Sequence, residues 1–554
     1  MTSEAETAIA DLAWGAFSAE PPWVLDPDAL AWRAGIDRLR TRTNAQVRPL
    51  LRRRRLPPGG RAVTVGTQLG VALGGWWLIE RRRSQPSPAG SRGHQHSGDP
   101  TLSRAGLSRR LRRSFERLGP TYIKLGQILS SGEGLFPPEL VNEFRLCRDQ
   151  VPAESWPDAR RVVEEDLGRP LSTVFASFEP TPIAAASIAQ VHAARLRTGE
   201  DVVVKVQRPD VAAKVAMDLA VMSWIAPALV GRIPVSALAN PPALVELFAE
   251  TIVEELDFRL EAENMLDVAR VLATTGQRAI VVPRPHPELV TRRVLVMERL
   301  DGFSFDDVDG MRAAGIDTEA VVRALMVSFL EGATLFGVFH GDLHGGNLFV
   351  QSDGRVALLD YGITGRLDDA RRLAFLRMLM GGTMNDQKLQ LTALRDLGAL
   401  PLDTDLDAVV RDLGLDRPPM DPTTMSPEDL LAEIREVTKQ LLAYGARFPK
   451  VLMLFVKNFL FLDGALATLA PDVDLFAEVV QIAAYFTARH GERIAAEVGL
   501  DPRLHPVDME GIRAAVGVGD EVDRLTYRDL QARRALIRSR MESHRAQSRK
   551  GRRR

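Results

Sequence analysis

A chain of 554 residues is too long for one ordinary hydrophobic core, so two compact lobes with accessory segments are expected. Its 45% hydrophobic and 26% charged content is that of a globular protein, and a formal net charge of −1 removes any global pull toward nucleic acid. The single cysteine, Cys147, excludes an intrachain disulfide or a cysteine-built zinc site and reads as an inert packed residue. The start, Met1-Thr-Ser-Glu-Ala-Glu6, is acidic rather than basic, unlike a signal peptide, and points to a cytoplasmic protein.

In chain order, residues 1–101 form an N-terminal region whose clearest feature is the apolar stretch 62–79. It carries Trp76 and Trp77 near one end and arginine clusters, Arg52–Arg55 and Arg81–Arg83, on both flanks. A spanning helix wants roughly twenty apolar residues, and this shorter stretch holds Gln68 and four glycines. Three readings stay open: an interfacial or membrane-dipping segment, a buried helix, or a true span. Ser, Pro, Gly and His dominate 84–100, a flexible linker. Leu107, Leu111, Phe115 and Leu118 give 102–171 a helical pattern. Within it Pro120 opens a helix carrying Lys124 and Gln127, which their residue types alone would leave on the surface.

Residues 172–300 read as a mostly β unit, with strands at Ile188–Val191 and Val202–Val206 around a Thr198-Gly199 turn and another at Val290–Met297. Lys205 lies inside the apolar run Val202–Val206, and desolvating an ammonium costs roughly several kcal/mol, so it needs a partner. Leu244–Val271 reads as one long helix on which Glu254, Asp257 and Glu261 share a face, with Glu255 about 100° aside. Like charges this close call for a cation, although a solvated helix face is the plain alternative. Ahead of Lys205, the small residues Ala184, Ala185, Ala186 and Ser187 are a weak signal by themselves.

Residues 301–500 read as mostly helical around one catalytic hairpin. His340-Gly-Asp-Leu-His-Gly-Gly-Asn347 is followed thirteen residues later by Asp360-Tyr361-Gly362. Strands Leu348–Val350 and Val356–Leu359, joined by the turn Ser352-Asp353-Gly354, would put Asn347 and Asp360 at neighbouring ends. Asp342 can face a γ-phosphate and the attacking group, while Asn347 and Asp360 offer hard oxygen ligands to Mg²⁺. The same spacing occurs in the kinase catalytic loop H-R-D-x-x-x-x-N and its D-F-G partner. After Gly362 only Ile363–Leu367 precede a helix opened by Asp368 and Asp369, with no long activation segment, so a peptide substrate would lack its usual platform. The apolar helices Val451–Leu466 and Leu475–Phe486 contain or flank charges such as Lys457 and Asp463 and read as lobe core rather than spans. The last segment, 501–554, is helical and then basic, with ten Lys/Arg against Glu542 from Arg533 onward. It reads as a solvated extension or as an attraction to anionic lipid, at about 1 kcal/mol per basic residue near the surface.

Together these segments resemble the UbiB/AarF family of atypical protein-kinase-like proteins over roughly residues 105–480. The resemblance rests on five ordered motifs: Lys124-Leu-Gly-Gln127 (K-x-G-Q), Ala184-Ala-Ala-Ser187, Lys205, Glu255-Leu-Asp257 (E-x-D) with Glu261, and the catalytic pair. It implies an α+β, bilobal protein-kinase-like fold with a helical K-x-G-Q extension over the active site, using ATP and Mg²⁺. By position, Lys205 would hold the ATP phosphates and pair with Glu261, Asp342 would be the catalytic-loop aspartate, and Asn347 and Asp360 would ligate magnesium. Ala184–Ser187 would replace a glycine-rich loop; Lys124 and Gln127 would fill the space where a kinase admits its peptide, secured by Glu255 and Asp257. Glu298 and Leu300 would sit at the adenine hinge. Two departures stand out. The family's H-A-D-P-H-P-G-N has Gly341, Leu343 and Gly345 in place of Ala, Pro and Pro, a less rigid loop, and D-F-G appears with Tyr361.

The resulting expectation is a magnesium-dependent ATPase, or a kinase of a small or lipid-like molecule, that supports isoprenoid quinone or lipid metabolism at a membrane surface. Protein phosphorylation is disfavoured. The rivals are a small-molecule phosphotransferase of the aminoglycoside or choline type, and a nucleotide-sensing, lipid-binding scaffold with negligible turnover. Expected partners are ATP, an isoprenoid quinone precursor or other lipid, and a membrane surface, contacted peripherally or through one inserted segment at 62–79. Nucleic acid is not expected, and a homodimer is left open.

Overall fold

The computed structural model describes residues 30–551 apart from 53–55, 82–99, 131–136, 147–151, 231–240, 520 and much of 417–448. Cys147, the linker and most of the arginine clusters at 52–55 and 81–83 lie outside the described residues. Four helices come first: α1 (Ile36–Leu50), α2 (Gly59–Gly75), α3 (Pro100–Leu118) and α4 (Pro120–Ser130). Strands β1 (Phe175–Phe178), β2 (Ala184–Ala185), β3 (Ala189–Leu196) and β4 (Asp201–Gln207) lead to helices α5 (Val211–Leu229), α6 (Pro241–Glu254) and α7 (Phe258–Thr275). Then come β5 (Ile280–Val281), β6 (Pro285–Val290), β7 (Val294–Glu298), β8 (Phe303–Ser304), helix α8 (Thr318–Glu331) and β9 (Val338–His340). Further on come β10 (Leu348–Val350), β11 (Val356–Leu358), β12 (Thr364–Arg366) and, among several helices, α9 (Asp369–Thr383), α10 (Lys450–Leu469) and α11 (Leu475–Val498), with Met509–Ala515 and Tyr527–Gly551 helical after them.

The chain divides into two compact units. The first comprises 1–267, 283–300 and 360–363; the second comprises 268–282, 301–359 and 364–554. In the first, strands run in the order β1-β3-β4-β7-β6 with β2 on the edge of β3, all neighbours antiparallel. Because side chains alternate along a strand, Val202, Val204 and Val206 face one core with Val294 and Val296 against the helix Trp156–Leu167. Lys205, of opposite parity, lies on the other face beside Val191 and Leu295. The second unit is mainly helical around a four-stranded sheet, β5-β11-β10-β8, and the ribbon β12-β9. The fold class is α+β, as expected.

Two expected elements differ. The strand expected at Val290–Met297 is two strands, because Asp166 pins a turn between them, accepting from Thr291 Oγ1 (2.5 Å) and Arg293 N (2.9 Å). The long helix expected over Leu244–Val271 breaks into α6 and α7. Asp257 causes the break by accepting a hydrogen bond from Arg259 N (3.2 Å), the local competition that makes Asp a helix starter rather than an interior residue. The carboxylates of 254–261 therefore do not share one helical face.

Among the described residues three helices are long and apolar enough to cross a membrane by length and composition: 59–79, 211–229 and 450–469. Only the first is mostly open. Ala62, Val65 and Ala72 are buried, whereas Val63, Val71, Leu73, Trp77, Leu78 and Ile79 are exposed. Its base is fixed by Arg61, whose guanidinium binds Asp218 (2.6 Å) and the Leu118 carbonyl (2.6 Å).

The β6 histidine gives a pH signature. Its Nδ1 accepts from Glu288 N (3.1 Å) and Leu289 N (3.2 Å), and burial lowers the His286 pKa to about 4. A depressed folded-state pKa contributes stability that is complete above the unfolded value, about 6.5, and lost as pH falls toward the folded one. Urea unfolding should therefore show the first unit weakening by about 1–3 kcal/mol between pH 7 and pH 4.5. His286→Asn, whose side-chain oxygen can accept from the amide two residues on without titrating, should flatten that component.

Candidate active site

In the first unit the site is built on the polar face of β4. Lys205 Nζ lies 2.7 Å from Glu261 Oε1 on α7 and 3.1 Å from Asp360 Oδ1, with side-chain exposures of 8%, 3% and 44% respectively. Phe258 walls the ammonium from the side, its ring centroid 5.5 Å away. Burial by itself would strip the proton from Lys205, but Asp360 and Glu261 outweigh it and hold the ammonium above the ordinary lysine range. Burial likewise works to raise Asp360, yet Lys205 and then Lys124 hold its carboxyl below the ordinary carboxylate range. Glu261, the most enclosed of the three, is pushed up to about 7 by burial against the pull of Lys205. The outcome is a fixed ammonium with one open, ionised carboxylate beside it.

Asp360 is held in an unusual backbone state. Its φ is +55°, in the left-handed region that non-glycine residues seldom occupy. The conformation is locked by Gly362 N, which donates to its own Oδ1 (3.1 Å), and by Asn264 Nδ2, which donates to the Tyr361 carbonyl (2.8 Å). Tyr361 is fully enclosed. Strain of this kind clusters where a side chain must be aimed rather than merely packed.

The helix α4 reaches the same place. Gly119, at φ +98°, turns the chain from α3 into α4, and Lys124 Nζ meets Glu255 Oε1 at 2.8 Å, with side-chain exposures of 13% and 6%. Lys124 is thus not a solvated lysine, contrary to what its residue type alone suggested. Gln127 is half-buried one turn along the same helix. Burial raises the Glu255 carboxyl, while Lys124 draws it down. The break between α6 and α7 is what frees Glu255 for this contact, whereas Asp257 turns to Arg259 (2.7 Å). Of the two acids expected to secure α4, Glu255 meets Lys124 directly, and Asp257 pairs with Arg259 at the start of α7.

Ala184 and Ala185 pair with Val191 and Gln190, and Ala186 N closes a tight turn on the Ala189 carbonyl (2.8 Å). None of Ala184, Ala185, Ala186 or Ser187 has positive φ, so this segment does not adopt the glycine-rich conformation that wraps phosphates. Arg208 braces it from within, donating to the carbonyls of Ala186 (3.1 Å) and Pro152 (2.9 Å). Glu298 has its carboxylate held by Arg284 in two bonds (2.9 and 2.6 Å) and donates its own N–H to the Arg284 carbonyl (2.9 Å). Leu300 ends the first unit, where the chain changes unit.

The second unit holds the catalytic loop. The expected hairpin is present, with Leu348 opposite Leu358 and Val350 opposite Val356. Asp342 N donates to His340 Nδ1 (3.1 Å), while the other ring nitrogen of His340 meets the Leu359 carbonyl (3.2 Å), which assigns a neutral ring with its proton on Nε2. Asn347 Nδ2 donates to the Asp342 carbonyl (3.1 Å), leaving its oxygen as the hard donor. Two residues that the sequence reading placed only in a helical core prove central: Lys457 pairs with the Asp342 carboxylate, and fully buried Asn458 bridges the loop. Asn458 donates to the His340 carbonyl and accepts from Leu343 N (3.0 Å). A charged and an amide residue adjacent in an apolar helix were the only sequence signal. Downstream, Asp368 caps α9 by accepting from Arg371 N (2.9 Å), and only β12 intervenes after Gly362, so the activation segment is as short as expected.

Three substitutions test this construction. Lys124→Met strands a buried carboxylate and should cost about 3–5 kcal/mol in urea unfolding. The loss should be smaller near pH 5 than near pH 8, since an upshifted Glu255 takes up a proton, and Glu255→Gln should recover most of it. Asn458→Leu leaves a buried N–H and C=O unmet and should cost about 2–4 kcal/mol.

A model of the ABC1 atypical kinase-like domain matches residues 146–393. An uncharacterized protein of Mycobacterium tuberculosis is 38% identical over 381 residues, covering 68% of this chain and 77% of that one. A chloroplastic aarF domain-containing protein kinase of Arabidopsis thaliana, also uncharacterized, is 34% identical over 451 residues, 76% of this chain and 82% of that one. A probable protein kinase UbiB of Aeromonas salmonicida is 34% identical over 392 residues, 68% and 69% of the two chains. With Lys205 seated between Glu261 and Asp360, and with relatives matched over most of their length, the chain belongs to the ABC1, or UbiB/AarF, family of atypical kinase-like proteins.

Proposed function

We propose that this protein binds ATP with magnesium and either hydrolyses it or transfers its γ-phosphoryl group to a small or lipid-like acceptor, rather than to a protein. The observation that carries this reading is the ammonium of Lys205, fully compensated inside a buried strand and set beside a strained, ionised Asp360. The donor set fits the cofactor. Asp360 and Asn347 supply two hard oxygens, and magnesium characteristically takes one or two protein ligands and completes its shell with phosphates and water. Bound there, the metal would neutralise charge on the phosphates. Lys205 would grip the phosphates, Glu261 would hold Lys205 in place, and Asp342 would orient the acceptor and receive its proton.

Two features argue against peptide substrates. The Lys124–Glu255 pair brings α4 against the Asp360 segment, where Glu255 Cγ stands 3.4 Å from where a Cβ on Gly362 would be. The segment after Gly362 is too short for a peptide platform. The open apolar side of 59–79 supports action at a membrane surface, since exposed apolar patches of that kind mark interaction sites. An isoprenoid quinone precursor or another lipid is the proposed acceptor class, in keeping with the relatives named UbiB. A second reading, nucleotide binding with negligible turnover, is favoured by one contact: Lys457 already occupies the Asp342 carboxylate that must accept the proton.

ATP hydrolysis with magnesium, measured with and without anionic vesicles and a phenol resembling a quinone precursor, separates these readings. Turnover stimulated by either addition and reduced at least about 100-fold in both Lys205→Ala and Asp342→Asn supports the proposal. Nucleotide retention without turnover selects the second reading, and rapid phosphorylation of a soluble amine or alcohol selects a small-molecule phosphotransferase.

A further inference from the structure

The second unit contains a cavity of about 1300 Å³ that uses none of Asp342, Asn347 or Lys457. Three helices turn apolar stripes toward it: Val322 and Met326 from α8, Leu376 and Leu379 from α9, Val479 and Ile482 from α11. Spacings of three and four residues are those of a core-facing helix stripe, and such stripes ordinarily close on one another at about 8–10 Å between axes. Here they close at one end only, where Leu376 and Met380 pack with Ile494 and Phe486. Toward the other end α8 and α11 are bridged by long polar side chains instead, Arg323 Nε to Glu478 Oε2 at 2.9 Å, which spans the gap without filling it.

The space is larger than the roughly 300–1,000 Å³ of ordinary small-molecule pockets. Its mostly apolar walls offer water few hydrogen-bond partners, so an apolar ligand entering it would displace poorly held water. The cationic side chains around it are engaged: Arg323 with Glu478, Arg503 with Asp501 (2.8 Å) and Glu492 (3.9 Å), and Arg489 with the Thr275 carbonyl (2.5 Å), while Glu319 and His505 lie exposed at its edge. A ligand would therefore be selected by apolar length and not by a charged head. We propose that this cavity binds one uncharged, long-chain apolar molecule at a site separate from the phosphate-binding residues.

The test titrates the full-length purified protein, free of detergent, with all-trans-retinol, an uncharged polyene alcohol that fluoresces in apolar surroundings, and with palmitate as the charged counterpart. Saturable binding of one retinol per chain at micromolar affinity is expected, with palmitate at least tenfold weaker. Ala483→Trp and Val479→Trp, which fill the cavity from α11, should each weaken retinol at least tenfold, while Asp342→Asn should leave it unchanged. Displacement of retinol by octadecanol on the unmodified chain decides the matter even where a variant fails to fold. Absence of saturable binding, tighter binding of palmitate, or retinol affinity unaltered in the folded tryptophan variants would overturn the proposal. Because Asp342→Asn abolishes phosphate chemistry and spares retinol binding, failure of the nucleotide reading and failure of this one are told apart.

Discussion

The arrangement of the first unit depends on one electrostatic constraint: an ammonium inside a sheet must be neutralised. Lys205 stands on a strand whose alternate residues are packed into a dry core, so it cannot turn outward without carrying Val204 and Val206 with it. Two carboxylates meet it, and each comes at a structural cost. Glu261 is raised by burial, and Asp360 adopts a left-handed backbone. Removing either partner would leave charge uncompensated in a low-dielectric site, which is why the three behave as one element.

The second unit solves a different problem, that of holding a glycine-rich loop still. Gly341, Gly345 and Gly346 surround Asp342 where proline would have stiffened the chain. The rigidity comes instead from outside the loop. Asn458 satisfies one carbonyl and one amide of the loop, His340 takes the Asp342 amide, and Asn347 takes the Asp342 carbonyl. Helix α10 therefore has two duties, an apolar core helix by composition and the clamp of the catalytic loop by two adjacent polar residues.

Helix α4 and the alanine segment shape the surroundings of Lys205 in one direction. A loop without positive φ forgoes the backbone cradle of glycine-rich loops, and a lysine from α4 enters the neighbourhood of Asp360 through Glu255. Both changes trade a flexible lid for fixed side-chain charges.

Much of this was legible in the chain itself. The catalytic hairpin, the short segment after Gly362 and the cap at Asp368 follow from local turn and capping chemistry, which acts over a few residues and leaves a local signature. The need of Lys205 for a partner also followed, since burying an ammonium is costly wherever the strand lies. What tertiary structure alone decided are the choices among equivalent residues. It set Glu255 on Lys124, split a strand at Thr291 with a carboxylate from Asp166, and picked Lys457 and Asn458 from an apolar helix to hold Asp342. Whereas the break before α7 is the local act of Asp257 on Arg259 N, each of these joins residues more than 100 positions apart in the chain. Such pairings are set by packing geometry, and packing leaves no periodic mark on the sequence.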